Sequence, residues 1–130
     1  MGMYTELVCA FKLINETPSH IIETLEFMSG QRDEHPTELP DNKLFSEGSR
    51  WKWMLQSDSY YFDGKTHSKI ENDTLVGGRY VTIRCNLKNY SDEIENFIEW
   101  ISQYIQKDYD HYFIGYKRYE EDKKPTLLFV

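Results

Sequence analysis

Between Arg79 and Gln106 the hydrophobic pattern changes its period once. Val81, Ile83, Cys85 and Leu87 alternate with Tyr80, Thr82, Arg84, Asn86 and Lys88, the two-residue period of a strand with one buried face. After Asn89 and Tyr90, the residues Ile94, Phe97, Ile98, Ile101, Tyr104 and Ile105 fall on one stripe of a helix. Ser91 is the expected N-cap, because its hydroxyl can accept from a free first-turn N–H. Asp92, Glu93 and Glu95 then set negative charge at the positive end of the helix dipole. A strand and a helix with one apolar face each bury those faces together, and the short turn makes them neighbours.

The flanking segments carry the same two periods. Tyr4 to Leu13 predicts a strand with Leu7, Cys9, Phe11 and Leu13 on one face. Val8 and Ala10 lie between Glu6 and Lys12 on the other, which points to an interior position in the sheet. Thr17 as cap and Pro18 at N1 start a helix whose stripe is Ile21, Ile22, Leu25 and Met28, with Gly30 ending it at C′. Residues 31–50, with Pro36 and Pro40, read as a long loop, a class that is either mobile or functional and can conceal one short element. Trp51, Trp53 and Leu55 alternate with Lys52 and Met54, and Tyr60-Tyr61-Phe62 follows turn residues, so a hairpin is expected. Lys65 to Thr74, bracketed by Asp63-Gly64 and Gly77-Gly78, reads as a loop. Tyr112 to Tyr119 is a further strand, and Pro125 opens a last one through Leu127, Leu128 and Phe129. The expected order is β-α-loop-β-β-β-α-β-β. It describes one α+β domain over residues 1–130: a mainly antiparallel sheet with two helices on one face, a ferredoxin-like or split βαβ variant with extra strands.

Composition narrows the function classes. A chain of 130 residues suits one core. Aromatic content of 15%, half of it tyrosine, allows broad amphipathic patches. A net charge of −7 disfavours nucleic acid and anionic membranes as general partners. The charge is uneven, however: residues 61–90 carry five bases against three acids, whereas 91–130 carry nine acids against five bases. No apolar run reaches the ~18 residues of a membrane span, and MGMYTELV has neither the basic region nor the apolar core of a signal peptide. The expected location is the cytoplasm. Cys9 and Cys85 sit on apolar strand faces and read as buried reduced thiols.

No catalytic constellation emerges. His20, His35, His67 and His111 lie in separate segments without the spacing of metal ligands. There is no phosphate-cradling glycine loop, and Gly77-Gly78 precedes a strand rather than a helix. Thiols on apolar strand faces are usually inert, and Asp92, Glu95 and Glu99 are placed on a solvated helix face. No catalytic residue, metal or cofactor is expected. What remains is an aromatic and basic set: Tyr80, Arg84 and Lys88 on one strand, Tyr112, Tyr116 and Arg118 on another. On an open sheet face, rings beside cations resemble a single-strand nucleic-acid platform. The competing reading is an amphipathic face closed by the 31–50 loop or by another subunit.

The run Asn86 to Ile101 (NLKNYSDEIENFIEWI), together with Ser59-Tyr60-Tyr61-Phe62 and Tyr116 to Thr126 (YKRYEEDKKPT), resembles small uncharacterised proteins encoded in bacterial and phage genomes. The resemblance implies a small cytoplasmic α+β protein and carries over no catalytic residue. The expected function is that of a non-enzymatic interaction protein working through the sheet face, with a second copy or an acidic protein as partner. The alternatives are a small-ligand or enzymatic pocket between the sheet and the 31–50 loop, and single-stranded nucleic-acid binding.

Overall fold

The computed structural model describes residues 3–130; Met1 and Gly2, part of the N-terminal stretch read above, lie outside the described residues. Strand β1 (Thr5–Lys12) is central. It pairs antiparallel with β3 (Arg79–Leu87) on one side and with β4 (Phe113–Tyr119) on the other. Strand β2 (His67–Asn72) adds to β3 and β5 (Thr126–Phe129) to β4, giving the order β2-β3-β1-β4-β5, every pair antiparallel. The register sets Leu7 against Cys85, Cys9 against Ile83 and Phe11 against Val81. One face is therefore apolar across β1 and β3 at these pairs, with Thr5 opposite Leu87 at its end.

Helices α1 (Ser19–Met28) and α2 (Glu93–Ile101) share a single core with that face. From α1 come Ile21, Leu25 and Met28, and from α2 Ile94, Phe97, Trp100 and Ile101, all buried. The protein is thus an α+β domain with a five-stranded antiparallel sheet and two helices. Gly30 takes φ 83°, the left-handed conformation expected of a C′ residue. Cys9 and Cys85 are buried free thiols; burial pushes Cys9 up to about 12 and, with Cys9 nearby, raises Cys85 as well.

Several expectations are corrected. Residues 51–55 form no strand. Arg50 O accepts from Trp53 N and Trp53 O from Gln56 N, so this is a helical turn with Trp51, Met54 and Leu55 buried at i, i+3 and i+4. Trp53, which the alternation put beside Trp51, is 64% exposed. Tyr60–Phe62 is irregular as well, so the expected hairpin does not form. The segment Lys65–Thr74, expected as loop, contains β2; its only buried apolar residue is Ile70, and backbone pairing with β3 holds it. The 31–50 connection conceals a short 3-10 turn, Lys43–Phe45, capped by the Asn42 side chain accepting from Leu44 N. Its Leu44 and Phe45 enter the core on the helix side, where the Phe45 ring meets Trp51 and Trp100 edge-on.

The caps also differ. Helix α1 begins at Ser19 with Pro18 as its N-cap, and Thr17 donates its hydroxyl to Ile14 O instead of capping. Helix α2 begins after Asp92, which stands at φ 56°. The free N–H of Ile94 goes to Asn89 Oδ1 at 2.8 Å, and Ser91 donates its own N–H to Glu93 rather than capping. Glu93 is 1% exposed and its second oxygen accepts from Arg50 N at 3.3 Å, tying the 51–56 turn to the start of α2.

Candidate functional site

The sheet face away from the helices carries Tyr80, Thr82, Arg84 and Asn86 from β3, Glu6 and Val8 from β1, and Tyr116 and Arg118 from β4, as the register dictates. Part of it is covered, and by residues 57–66 rather than by the 31–50 loop. This strap is fixed at its ends by Asn86 N donating to Ser57 O at 3.0 Å and by Thr66 donating to the same carbonyl at 2.8 Å. Asn86 Nδ2 also donates to Asp58, whose carboxyl is held below its usual range by the Ser59 N–H and then by Asn86. Tyr61 donates its hydroxyl to Glu120 O, anchoring the strap across β4. Under it Phe62 is buried, with the Arg118 guanidinium 5.0 Å from its ring, and Gly64 packs on Arg84.

The strap determines what the two arginines do. Arg84 and Arg118 both bind Glu6, Arg118 at 3.2 Å, and Glu6 is 3% exposed. A carboxylate that far from water needs such partners. The sequence placed both arginines at a binding face; the structure engages them internally, and Glu6 is the residue whose role the sequence concealed.

Of the six expected site residues, Tyr80, Arg84, Tyr116 and Arg118 share this sheet face, with Arg84 and Arg118 taken up by Glu6. Tyr80 lies at one end with Lys12 Nζ 5.6 Å from its ring centre. Tyr116 sits mid-sheet opposite Leu127. Tyr112 packs against Tyr109 at 5.0 Å beside the end of β5. Lys88 lies at the opposite end, 5.6 Å from the centre of the Tyr4 ring.

Lys88 belongs to a small cleft of about 220 Å³ between the sheet end and the 51–56 turn, lined by Tyr4, Arg50, Trp53, Met54, Ser57, Leu87 and Lys88. The Arg50 guanidinium stands 5.5 Å from the Tyr90 ring centre. Among the described residues, no carboxylate lies within 4.0 Å of either cation.

A second cleft, about 510 Å³, is walled by Thr5, Tyr90, Glu95, Lys117, Tyr119 and Asp122 among others. Its central pair is closed on itself: Lys117 donates to Glu95, which also accepts from Asn89 at 2.8 Å. Partial burial raises the Glu95 carboxyl, but the bonds from Lys117 and Asn89 outweigh it and hold the carboxyl below its usual range. Glu95 is thus not the free surface acid that the helical pattern suggested.

At the β5 edge the far face stays open. Leu127, Phe129 and Phe113 are 54%, 37% and 49% exposed. The His111 ring stacks on Phe129 at 4.1 Å and Phe113 meets it at 5.6 Å. No group of His, Cys, Asp and Glu among the described residues is arranged to hold a metal ion, and none of the described helices is long and apolar enough to cross a membrane. Compared with protein-family models, with curated proteins and with solved structures, the chain matches none.

Proposed function

We propose that this is a non-enzymatic interaction protein that self-associates through strand β5 and the open part of its sheet face. The observation that carries the reading is the chemistry of that edge. Val130 and Tyr112 exchange both backbone bonds at 2.9 Å. By the alternation of an antiparallel ladder, the N–H and C=O groups of Leu127 and Phe129 then turn outward, away from β4. Exposed strand edges are normally guarded by charge, proline or a bulge along their length. Here Lys123, Lys124 and Pro125 precede the strand, and Thr126 to Val130 carries no charge. Antiparallel pairing about a two-fold axis sets Leu127 of one copy opposite Phe129 of the other, an isologous contact that closes after two chains. The sheet then runs through ten strands, and the Phe113–His111–Phe129 cluster of each copy flanks the seam.

The same reading treats the strand order as a split βαβ, ferredoxin-like arrangement to which β5 is added as the associating edge. It places the protein in the cytoplasm, with the small bacterial and phage proteins that its Asn86–Ile101 run resembles. Two observations support protein over nucleic acid as partner: the net charge of −7, and the engagement of Arg84 and Arg118 by Glu6.

Sedimentation equilibrium at micromolar concentration tests it. Wild type sediments as a dimer, and Leu127→Lys, which sets two like charges at the seam, as a monomer that keeps its circular dichroism spectrum. A wild type that stays monomeric throughout, or a Leu127→Lys variant that still dimerises, would overturn the reading.

A further inference from the structure

Arg50 and Lys88 line one cleft from segments remote in sequence, and neither is among the six of the chain's fifteen lysines and arginines that pair with a carboxylate. Arg84 and Arg118 meet Glu6, Lys117 meets Glu95, Arg32 meets Glu26, Lys43 meets Glu99 and Lys69 meets Glu71. Arg50 and Lys88 instead lie against the rings of Tyr90 and Tyr4. A ring orients a cation without cancelling its charge, so both heads keep their charge available to a ligand. Glu93 is 1% exposed, and its oxygens are taken up by the backbone N–H groups of Ser91 and Arg50.

Trp53 completes the site. Its neighbours Trp51, Met54 and Leu55 fill the core, and the helical turn that buries them leaves Trp53 standing at the cleft, 64% exposed. Tryptophan, tyrosine and arginine around a small depression are the residue types that dominate interface energetics. The depression itself, about 220 Å³, falls below the roughly 300–1,000 Å³ of pockets that enclose free metabolites. It suits one side chain of a larger partner.

We propose that the Tyr4–Arg50–Trp53–Lys88 cleft binds an acidic peptide segment of a partner protein. One carboxylate seats between Arg50 and Lys88, and the adjoining residue packs on Trp53. The choice of occupant follows from charge complementarity: two uncompensated cations on a chain of net charge −7 form a local positive site within a field that repels polyanions. The site lies at the end of the sheet opposite the Phe113–His111–Phe129 cluster and is independent of self-association.

Calorimetric titration with an acetylated, amidated hexaglutamate peptide tests the proposal. Wild type binds it saturably, and more weakly as salt rises. Arg50→Glu/Lys88→Glu weakens binding by about tenfold or more, since two attractive charges become repulsive. Lys69→Glu/Lys107→Glu, which changes net charge equally at exposed sites elsewhere, leaves affinity within about twofold of wild type. Arg50→Gln/Lys88→Gln, a milder pair, gives an intermediate loss and guards against misfolding of the reversed variant. Trp53→Ala weakens binding without altering its salt slope, and Leu127→Lys has no effect, which separates this site from the β5 seam. Absence of saturable binding, equal loss in both reversed pairs, or stronger binding of a hexathymidylate than of the peptide would overturn the proposal.

Discussion

Gly64 packs directly against the Arg84 guanidinium, so that a side chain built on its Cα would run into Nε and Cζ. The guanidinium has little freedom to retreat, because Glu6 holds it beneath the strap. Gly64→Ala therefore destabilises the fold by ~1–3 kcal/mol, the usual cost of overpacking. Chemical denaturation measures it, and the cost falls in an Arg84→Ala background, where the obstacle is gone.

Helix α2 gives a ranking. Phe97→Ala costs ~3–5 kcal/mol and Ile101→Ala ~2–5, each a large share of a total of about 5–15. Trp100→Ala belongs with them, since Trp100 is 1% exposed and packs on Phe45 and Phe97. Glu99→Ala, whose contact with Lys43 is a 3.8 Å surface pair, stays within about half a kcal/mol. A denaturant midpoint for Glu99→Ala as low as that for Phe97→Ala would mean the helix faces otherwise.

Glu93 is buried for a structural purpose. Glu93→Ala leaves the N–H groups of Ser91 and Arg50 without their acceptor and costs ~1–3 kcal/mol. Because one of those bonds holds the 51–56 turn, the variant also loosens that turn, read as increased acrylamide quenching of Trp51, which is 3% exposed in the native protein.

Glu95 supplies a pH dependence. Its carboxyl lies below the usual 4.5 in the folded state, so the stabilisation it gives is present above that value and is lost as pH falls through the lowered one. Lys117→Met removes the main source of the depression. The stability difference between wild type and Lys117→Met is therefore full at neutral pH and shrinks toward zero as the solution is acidified below 4.5, which urea midpoints taken across that range follow directly.

The two thiols report opening of the core. With Cys9 pushed up to about 12 and both sulfurs buried, thiolate attack from the native state is suppressed. Alkylation by iodoacetamide at pH 8 proceeds at the rate of unfolding for both cysteines together, and mild denaturant accelerates it. Rapid labelling of one cysteine in the native protein would show a local opening of β1 or β3.

What the sequence made legible was what a period could carry. Strands β1 and β3 were readable because each presents one continuous apolar face, and α2 because its stripe is unbroken from Ile94 to Ile101. Strand β2 was not, since it buries only Ile70 and owes its conformation to pairing with β3. The Trp51–Leu55 turn is too short to distinguish two periods: an alternating reading and an i, i+3, i+4 reading both fit its apolar residues, and burial of Met54 decides for the latter. The strap was hidden for a different reason. Its covering residues are Phe62 and Gly64, and nothing local tells that Glu6, far along the chain, pairs with Arg84 and Arg118 beside them.

The central place of β1 has a consequence for how the chain comes to be folded. Thr5 pairs with Leu87 on one side and Tyr119 on the other, so β1 leaves the ribosome well before either neighbour and is completed only once Tyr119 has been made. Loop closure over such separations is slow, and the first helix made after β1 that shares a core with Leu7, Cys9 and Phe11 is α1. The nascent protein thus carries an apolar strand before its partners exist, which makes early docking of Ile21, Leu25 and Met28 a step that protects it.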